Sequence, residues 1–139
     1  MTDAKKPGTK KIAAKKAEKK SDGALKAAIL TLALKDAAFD GFSETVLEKA
    51  GKAAGVTKAD LARLFEKGPI SLIEYYSHSV DEEMEAALAK LDLPSRKIRD
   101  RIKLAVLTRL AILKPHKEAA RRAAALLSLP IHAGLGARL

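Results

Sequence analysis

The stretch Phe42-Ser-Glu-Thr-Val-Leu-Glu-Lys-Ala-Gly-Lys-Ala-Ala-Gly-Val-Thr-Lys-Ala-Asp-Leu-Ala-Arg-Leu-Phe65 decides the fold. Ser43 is a ready N-cap, because its hydroxyl can accept a hydrogen bond from an amide that the first helical turn leaves unpaired. Phe42 and Leu47 stand at the N′ and N4 positions of a hydrophobic staple. The helix they open is expected to run to about Lys52, with Val46, Leu47 and Ala50 inward. Ala54-Gly55-Val56 then makes a tight turn. Thr57 caps a short following helix, Asp60 sits at N3 as in a capping box, and Val56 with Leu61 repeats the staple. Two capped helices across so short a turn make a helix-turn-helix.

Working outward, the upstream segment is helical from Asp22. Leu25, Ala28, Ile29 and Leu32 follow the i, i+3, i+4, i+7 spacing of one buried face. Asp36 to Gly41 ends it and places Phe39 and Phe42 to fold back onto the core. Downstream, Lys67-Gly68 closes the third helix with Gly at C′, and Pro69 opens a fourth over about 69–91. Its Ile73, Tyr76, Val80, Met84, Ala87 and Leu91 step along one face; of the Tyr75-Tyr76 pair, one is expected in the core and the other at an interface. After Asp92-Leu-Pro94, a fifth helix starts at Ser95 and shows Ile98, Ile102, Ala105, Val106, Leu110 and Leu113. Its second half is apolar on more than one side, which predicts a central, well-covered helix. Pro115 fits the first turn of a sixth helix, which runs to about Leu129 before Pro130. The fold class is all-α, a helix-turn-helix unit followed by further antiparallel helices.

The chain has 139 residues, room for one domain with a core. Aromatics make up 4% and Trp is absent, so the core must be Ala, Leu and Ile packing between helices. The absence of Cys excludes a disulfide scaffold and fits a reducing compartment. No apolar run approaches the roughly 20 residues that span a bilayer, and no hydrophobic region follows the charged N-terminus. A cytoplasmic protein is expected, one able to sit peripherally at the inner membrane.

The net charge of +10 is unevenly placed. Residues 1–22 carry eight Lys against Asp3, Glu18 and Asp22, a net +5; residues 23–92 carry −4; residues 93–139 carry +9. Residues 1–22 hold Ile12 as their one large apolar side chain beyond Met1, so they read as a disordered basic arm, either solubilising or drawn to an anionic membrane surface or nucleic acid. The domain is then 23–139, with 23–68 as the helix-turn-helix unit and 69–139 as the ligand- or partner-binding part.

Two resemblances sit on these residues. Gly41-Phe-Ser43, Ala54-Gly-Val-Thr57 and Leu61…Phe65…Gly68 ahead of a long helix resemble the N-terminal pattern of the TetR regulators. More of the chain, about 25–139, resembles the ubiquinone-biosynthesis accessory proteins. That likeness rests on Phe39-Asp-Gly-Phe-Ser-Glu44, Leu64-Phe-Glu-Lys-Gly-Pro-Ile-Ser-Leu-Ile-Glu-Tyr-Tyr76, Ile98-Arg-Asp-Arg-Ile102 and Leu113-Lys-Pro-His-Lys-Glu-Ala-Ala-Arg-Arg-Ala123 through Leu129-Pro130. It implies a TetR-like fold without DNA reading, a lipid or isoprenoid quinone intermediate as ligand, and a quinone-ring hydroxylase of the ubiquinone pathway as protein partner. In that family further helices follow the Leu-Pro element; this sequence lacks them, so the resemblance implies a shortened lipid-binding part.

The residues separate this reading from its alternative, a TetR-type DNA-binding transcriptional regulator. The positions that would face DNA read Asp60, Ala62 and Leu64: Asp60 turns a negative charge toward the phosphates, and Ala62 and Leu64 cannot hydrogen-bond a base edge. Residues 43–66 are neutral, with four basic and four acidic side chains, where a reading face should be basic. If the third helix does enter a groove, Thr57, Lys58 and Arg63 are left to make the contacts. The lipid reading instead needs an apolar face on the last helices. Leu104, Leu107, Leu110 and Leu113, with Ala120, Ala124 and Leu127, are the candidates for that lipid or partner face. The fifth and sixth helices carry more apolar surface than six helices can cover, which predicts self-association into a homo-oligomer, or binding of lipid or partner, through it. Ala-rich helix packing with no ligand is the plain alternative.

No enzyme is expected. His78, His116 and His132 are isolated; Asp81-Glu-Glu83 and Glu85 lack the spacing of a calcium loop; and no nucleophile or phosphate-loop motif occurs. No cofactor and no metal is expected.

Overall fold

A computed structural model of the chain describes the backbone of residues 8–129 and the side chains of residues 21–129. Six α-helices and one 3-10 turn make up the described residues, with no strand among them. They are α1 (Gly8–Asp40), α2 (Glu44–Ala53), α3 (Lys58–Leu64), α4 (Pro69–Ala89), α5 (Ile98–Leu113), the 3-10 turn (Lys114–His116) and α6 (Lys117–Leu127). The chain is all-α, as its periodicity predicts.

The caps lie where the sequence puts them. The Val46 amide donates to the Ser43 hydroxyl at 3.3 Å, and the Asp60 amide to the Thr57 hydroxyl at 3.2 Å. Gly55, with φ +75°, turns the chain between α2 and α3 in the left-handed region that a side chain resists. Close crossing of these helices rests on Gly51: a Cβ there would lie 3.0 Å from both Leu61 methyls. Gly68 differs from expectation. It follows a turn closed by its own amide on the Phe65 carbonyl and is the N-cap of α4, not the C′ residue of α3.

Helix α1 is the central post, packing on α2 and α6, while α4 packs on α5. Its buried residues are Ile29, Leu30, Ala33, Leu34 and Ala37; the expected Leu25 and Leu32 are half-buried and Ala28 is exposed. A helix with neighbours on several sides buries two adjacent rows rather than the single stripe that a one-sided pattern picks out. The helix also runs on through Asp36 to Asp40, which turns Phe39 outward (80% exposed), while Phe42 is buried as expected. Upstream, α1 begins at Gly8, so residues 8–22 of the expected arm are helical; Ala, Lys and Glu are strong helix formers even where no apolar face exists. Residues 1–7 of the arm lie outside the described residues, as do residues 130–139, His132 among them.

The core closes with Val46, Leu47, Ala50, Leu61, Leu64, Phe65, Leu72, Ile73, Tyr76 and Val80, and with Ala119 and Ala123 from α6. Small side chains at Ala119 and Ala123 bring α6 close to α1, where the aliphatic part of Arg122 lies 3.7 Å from the position a Cβ would take on Gly41. Tyr76 stacks on Phe42 at 6.3 Å and is the core member of its pair; Tyr75, half-buried, meets Phe65 edge-on at 6.5 Å.

Helix α5 departs furthest from the sequence reading. None of its side chains is buried, so it is not a central helix. Its expected inward residues Ile98, Ile102, Val106 and Leu110 are all more than half exposed; the half-buried side is Leu104, Ala105, Thr108, Arg109, Ile112 and Leu113. Apolar residues all round a helix show that several faces can be buried, but not that several neighbours exist. Its start also shifts to Ile98. The Ser95 hydroxyl donates to the Asp92 carbonyl and the Arg101 guanidinium to the carbonyls of Pro94 and Arg96, which hold residues 92–96 as a turn.

Candidate functional site

What α5 leaves open continues into α6. The 3-10 turn joins the two helices at Pro115, and an ion pair between Arg109 and Asp81 ties α5 to α4. Between α5 and α6 lies a groove of about 490 Å³, lined by Leu110, Ala111, Leu113, Lys114, Lys117, Ala120, Arg121 and Ala124. A smaller crevice of about 190 Å³ shares Leu113, Ala120 and Ala124 with it and reaches in to Ile73, Tyr76 and Leu127.

Of the expected lipid or partner face, Leu110, Leu113, Ala120 and Ala124 therefore come together, and Leu127 joins them through the crevice. Leu104 and Leu107 line neither hollow: Leu104 is half-buried, and Leu107 is 51% exposed on the outward side of α5 beside Val106. The residues that the sequence reading missed are the cations Lys114, Lys117 and Arg121. Their signal was present, since positions 114, 117, 121 and 124 recur at helical spacing alongside 110, 113 and 120.

A third cleft, of about 320 Å³, lies between α1, α4 and the 3-10 turn, with Thr31, Tyr75, Ser79, Glu83 and His116 among its polar walls. Tyr76 lines it too, and its hydroxyl is buried with no hydrogen-bond partner. Burial pushes the Tyr76 phenol up from its ordinary pKa, the Glu83 carboxylate adds to this, and the Arg109 guanidinium opposes it. Tyr75 is raised as well, by burial first and then by Glu82.

The pair α2 and α3, with the turn between them, presents a different surface. Thr57, Lys58, Asp60, Ala62 and Arg63 are exposed on α3, but Leu64 is buried at 6% exposure and belongs to the core, not to an outward face. The Thr57 hydroxyl is engaged as the cap. The Arg63 guanidinium grips Asp22 of α1 with two bonds of 2.8 and 3.1 Å and lies 3.8 Å from Asp60. Lys58 borders a shallow hollow whose other charged residues, Glu44, Glu48 and Glu66, are all acidic. Phosphates would meet carboxylates there.

Among the described residues no group of three or more His, Cys, Asp or Glu is placed to hold a metal ion, and His78 lies 3.4 Å from Glu82 on the exposed side of α4. No helix among them is long and apolar enough to cross a membrane. No protein-family model matches the chain, and neither does any curated protein or solved structure.

Proposed function

We propose that this protein is a non-catalytic accessory protein of ubiquinone biosynthesis that binds a lipid or isoprenoid molecule on its α5–α6 face. It supports a quinone-ring hydroxylase by holding that enzyme or its lipid substrate, working from the cytoplasmic side as a peripheral membrane protein. The observation that carries the reading is the open apolar groove of Leu110, Leu113, Ala120 and Ala124. Each CH₂ of a chain laid there gains about 0.8 kcal/mol of burial. The pathway in this reading comes from the resemblance of the sequence blocks between Phe39 and Pro130 to the ubiquinone-biosynthesis accessory proteins.

The test is mass spectrometry of lipids that co-purify with the full chain and with Leu110→Glu. An isoprenoid or acyl lipid should accompany the parent protein and be lost from the variant. Phe39→Glu, which alters an exposed apolar residue far from the groove in sequence, should keep it. Equal lipid content in the parent and in Leu110→Glu would sink the reading. A sequence-selective, nanomolar shift of an operator by the full chain would favour the regulator instead.

A further inference from the structure

The α5–α6 groove has a floor and a rim of opposite character. The floor is Leu110, Leu113, Ala120 and Ala124; the rim is Lys114, Lys117 and Arg121, and no carboxylate lines the groove. The ammonium groups of Lys114 and Lys117 have no ion-pair partner among the described residues. Arg121 lies 3.4 Å from Glu118, in a pair so exposed (72% and 55%) that water screens most of the attraction.

A neutral chain would use the floor and leave three like charges at the edge of a surface it had just dried. A second copy of this chain docked by the same face would bring residues 93–139, with a net charge of +9, against their own likeness. An anion answers both problems, because it offsets the mutual repulsion and accepts hydrogen bonds from all three donors. The groove volume of about 490 Å³ falls within the range of roughly 300–1,000 Å³ typical of small-molecule sites. The crevice that shares Leu113, Ala120 and Ala124 gives the far end of a chain somewhere to go.

We infer, resting on the lipid-binding reading above, that the ligand is a single-chain amphiphile with an anionic carboxylate or phosphate head. Its chain lies on Leu110, Leu113, Ala120 and Ala124, and its head sits among Lys114, Lys117 and Arg121.

Titration calorimetry of the full chain tests this with dodecyl phosphate, laurate and dodecanol below their aggregation limits, inorganic phosphate, and phosphatidylcholine–phosphatidylglycerol vesicles. Dodecyl phosphate and laurate should bind about tenfold or more tighter than dodecanol, with an advantage that shrinks as salt rises. Inorganic phosphate should not compete. The double variant Lys117→Glu, Arg121→Glu, at two exposed positions, should lose the advantage while keeping its dodecanol affinity. Dodecanol binding as tightly as dodecyl phosphate would overturn the anionic head and leave the lipid reading standing. If none of the amphiphiles or vesicles bound, both would fall. Competition by inorganic phosphate would make this an ion site, and binding to vesicles without binding of monomers would make it a surface-docking face; either result overturns the proposal.

Discussion

The two halves of the molecule use similar residues to opposite ends. From Ile29 to Val80, apolar side chains meet others from α1, α2, α3 and α4 and form a closed core. From Ile98 onward, equally apolar residues contribute no buried side chain in α5 and only Ala119 and Ala123 in α6. What differs is the number of neighbours. A helix such as α1, with partners on several sides, buries two rows; α5, resting mainly on α4, leaves Ile102, Val106, Leu107 and Leu110 in water. Hydrophobic composition sets how much surface needs covering, and topology decides whether it is covered.

The sharpest way to break this contrast is a matched pair of truncations. Ile73→Ala, at a side chain 1% exposed, should cost about 2–5 kcal/mol in urea denaturation. Leu110→Ala, at one 57% exposed, should stay within about 0.5 kcal/mol of the parent. Equal losses would mean that the α5–α6 face is covered.

A smaller effect tests how tightly the closed half is jointed. Gly68 has φ +62°, and a Cβ there would lie 2.5 Å from the Glu44 carboxylate. Gly68→Ala should cost about 1–3 kcal/mol. Since Glu44 can swing aside, adding Glu44→Ala should recover little of it, and full recovery would show that the backbone is not strained. Next comes Thr57→Ala, which removes the α3 cap and should cost about 1 kcal/mol by thermal denaturation.

The smallest effect concerns the pin between α1 and α3. The Arg63 guanidinium holds the Asp22 carboxyl below its ordinary value of 3.8, burial opposing. A depressed carboxylate pKa contributes stability above the unfolded-state value and loses it as pH falls through the folded one. The stability gap between the parent and Arg63→Ala should therefore be constant near neutrality and close as pH drops below 3.8. A gap that persisted in strong acid would show that Arg63 acts through packing instead.

The sequence reading succeeds where structure is local and weakens where it is not. Ser43 and Thr57 are legible because a cap depends on amides two or three residues away. The burial of Ile73, Tyr76 and Val80 is legible because α4 buries much of one stripe. Ala28, Phe39 and Leu64 are misplaced because periodicity gives the angle between side chains but not the direction in which a neighbour lies. Gly68 is misassigned for a related reason: a glycine between two helices can end the first or begin the second. At the candidate site the apolar floor is legible as leucines and alanines at helical spacing. The rim is harder to read: Lys114, Lys117 and Arg121 share that spacing, but they pass for ordinary solvated charges until the groove beside them is seen.

The uncovered side of α5 bears on how the protein should be weighed in the test tube. Any molecule that binds there only when α5 is folded adds RT ln(1 + [L]/Kd) to the stability, about 2.7 kcal/mol at a hundredfold excess over Kd. Helix α5, with no buried side chain of its own, would feel that contribution first, as slower amide exchange. If the proposed ligand binds, a melting temperature for this chain belongs jointly to the protein and to the concentration of that ligand. Two preparations identical in sequence can differ in stability according to what each carried out of the cell.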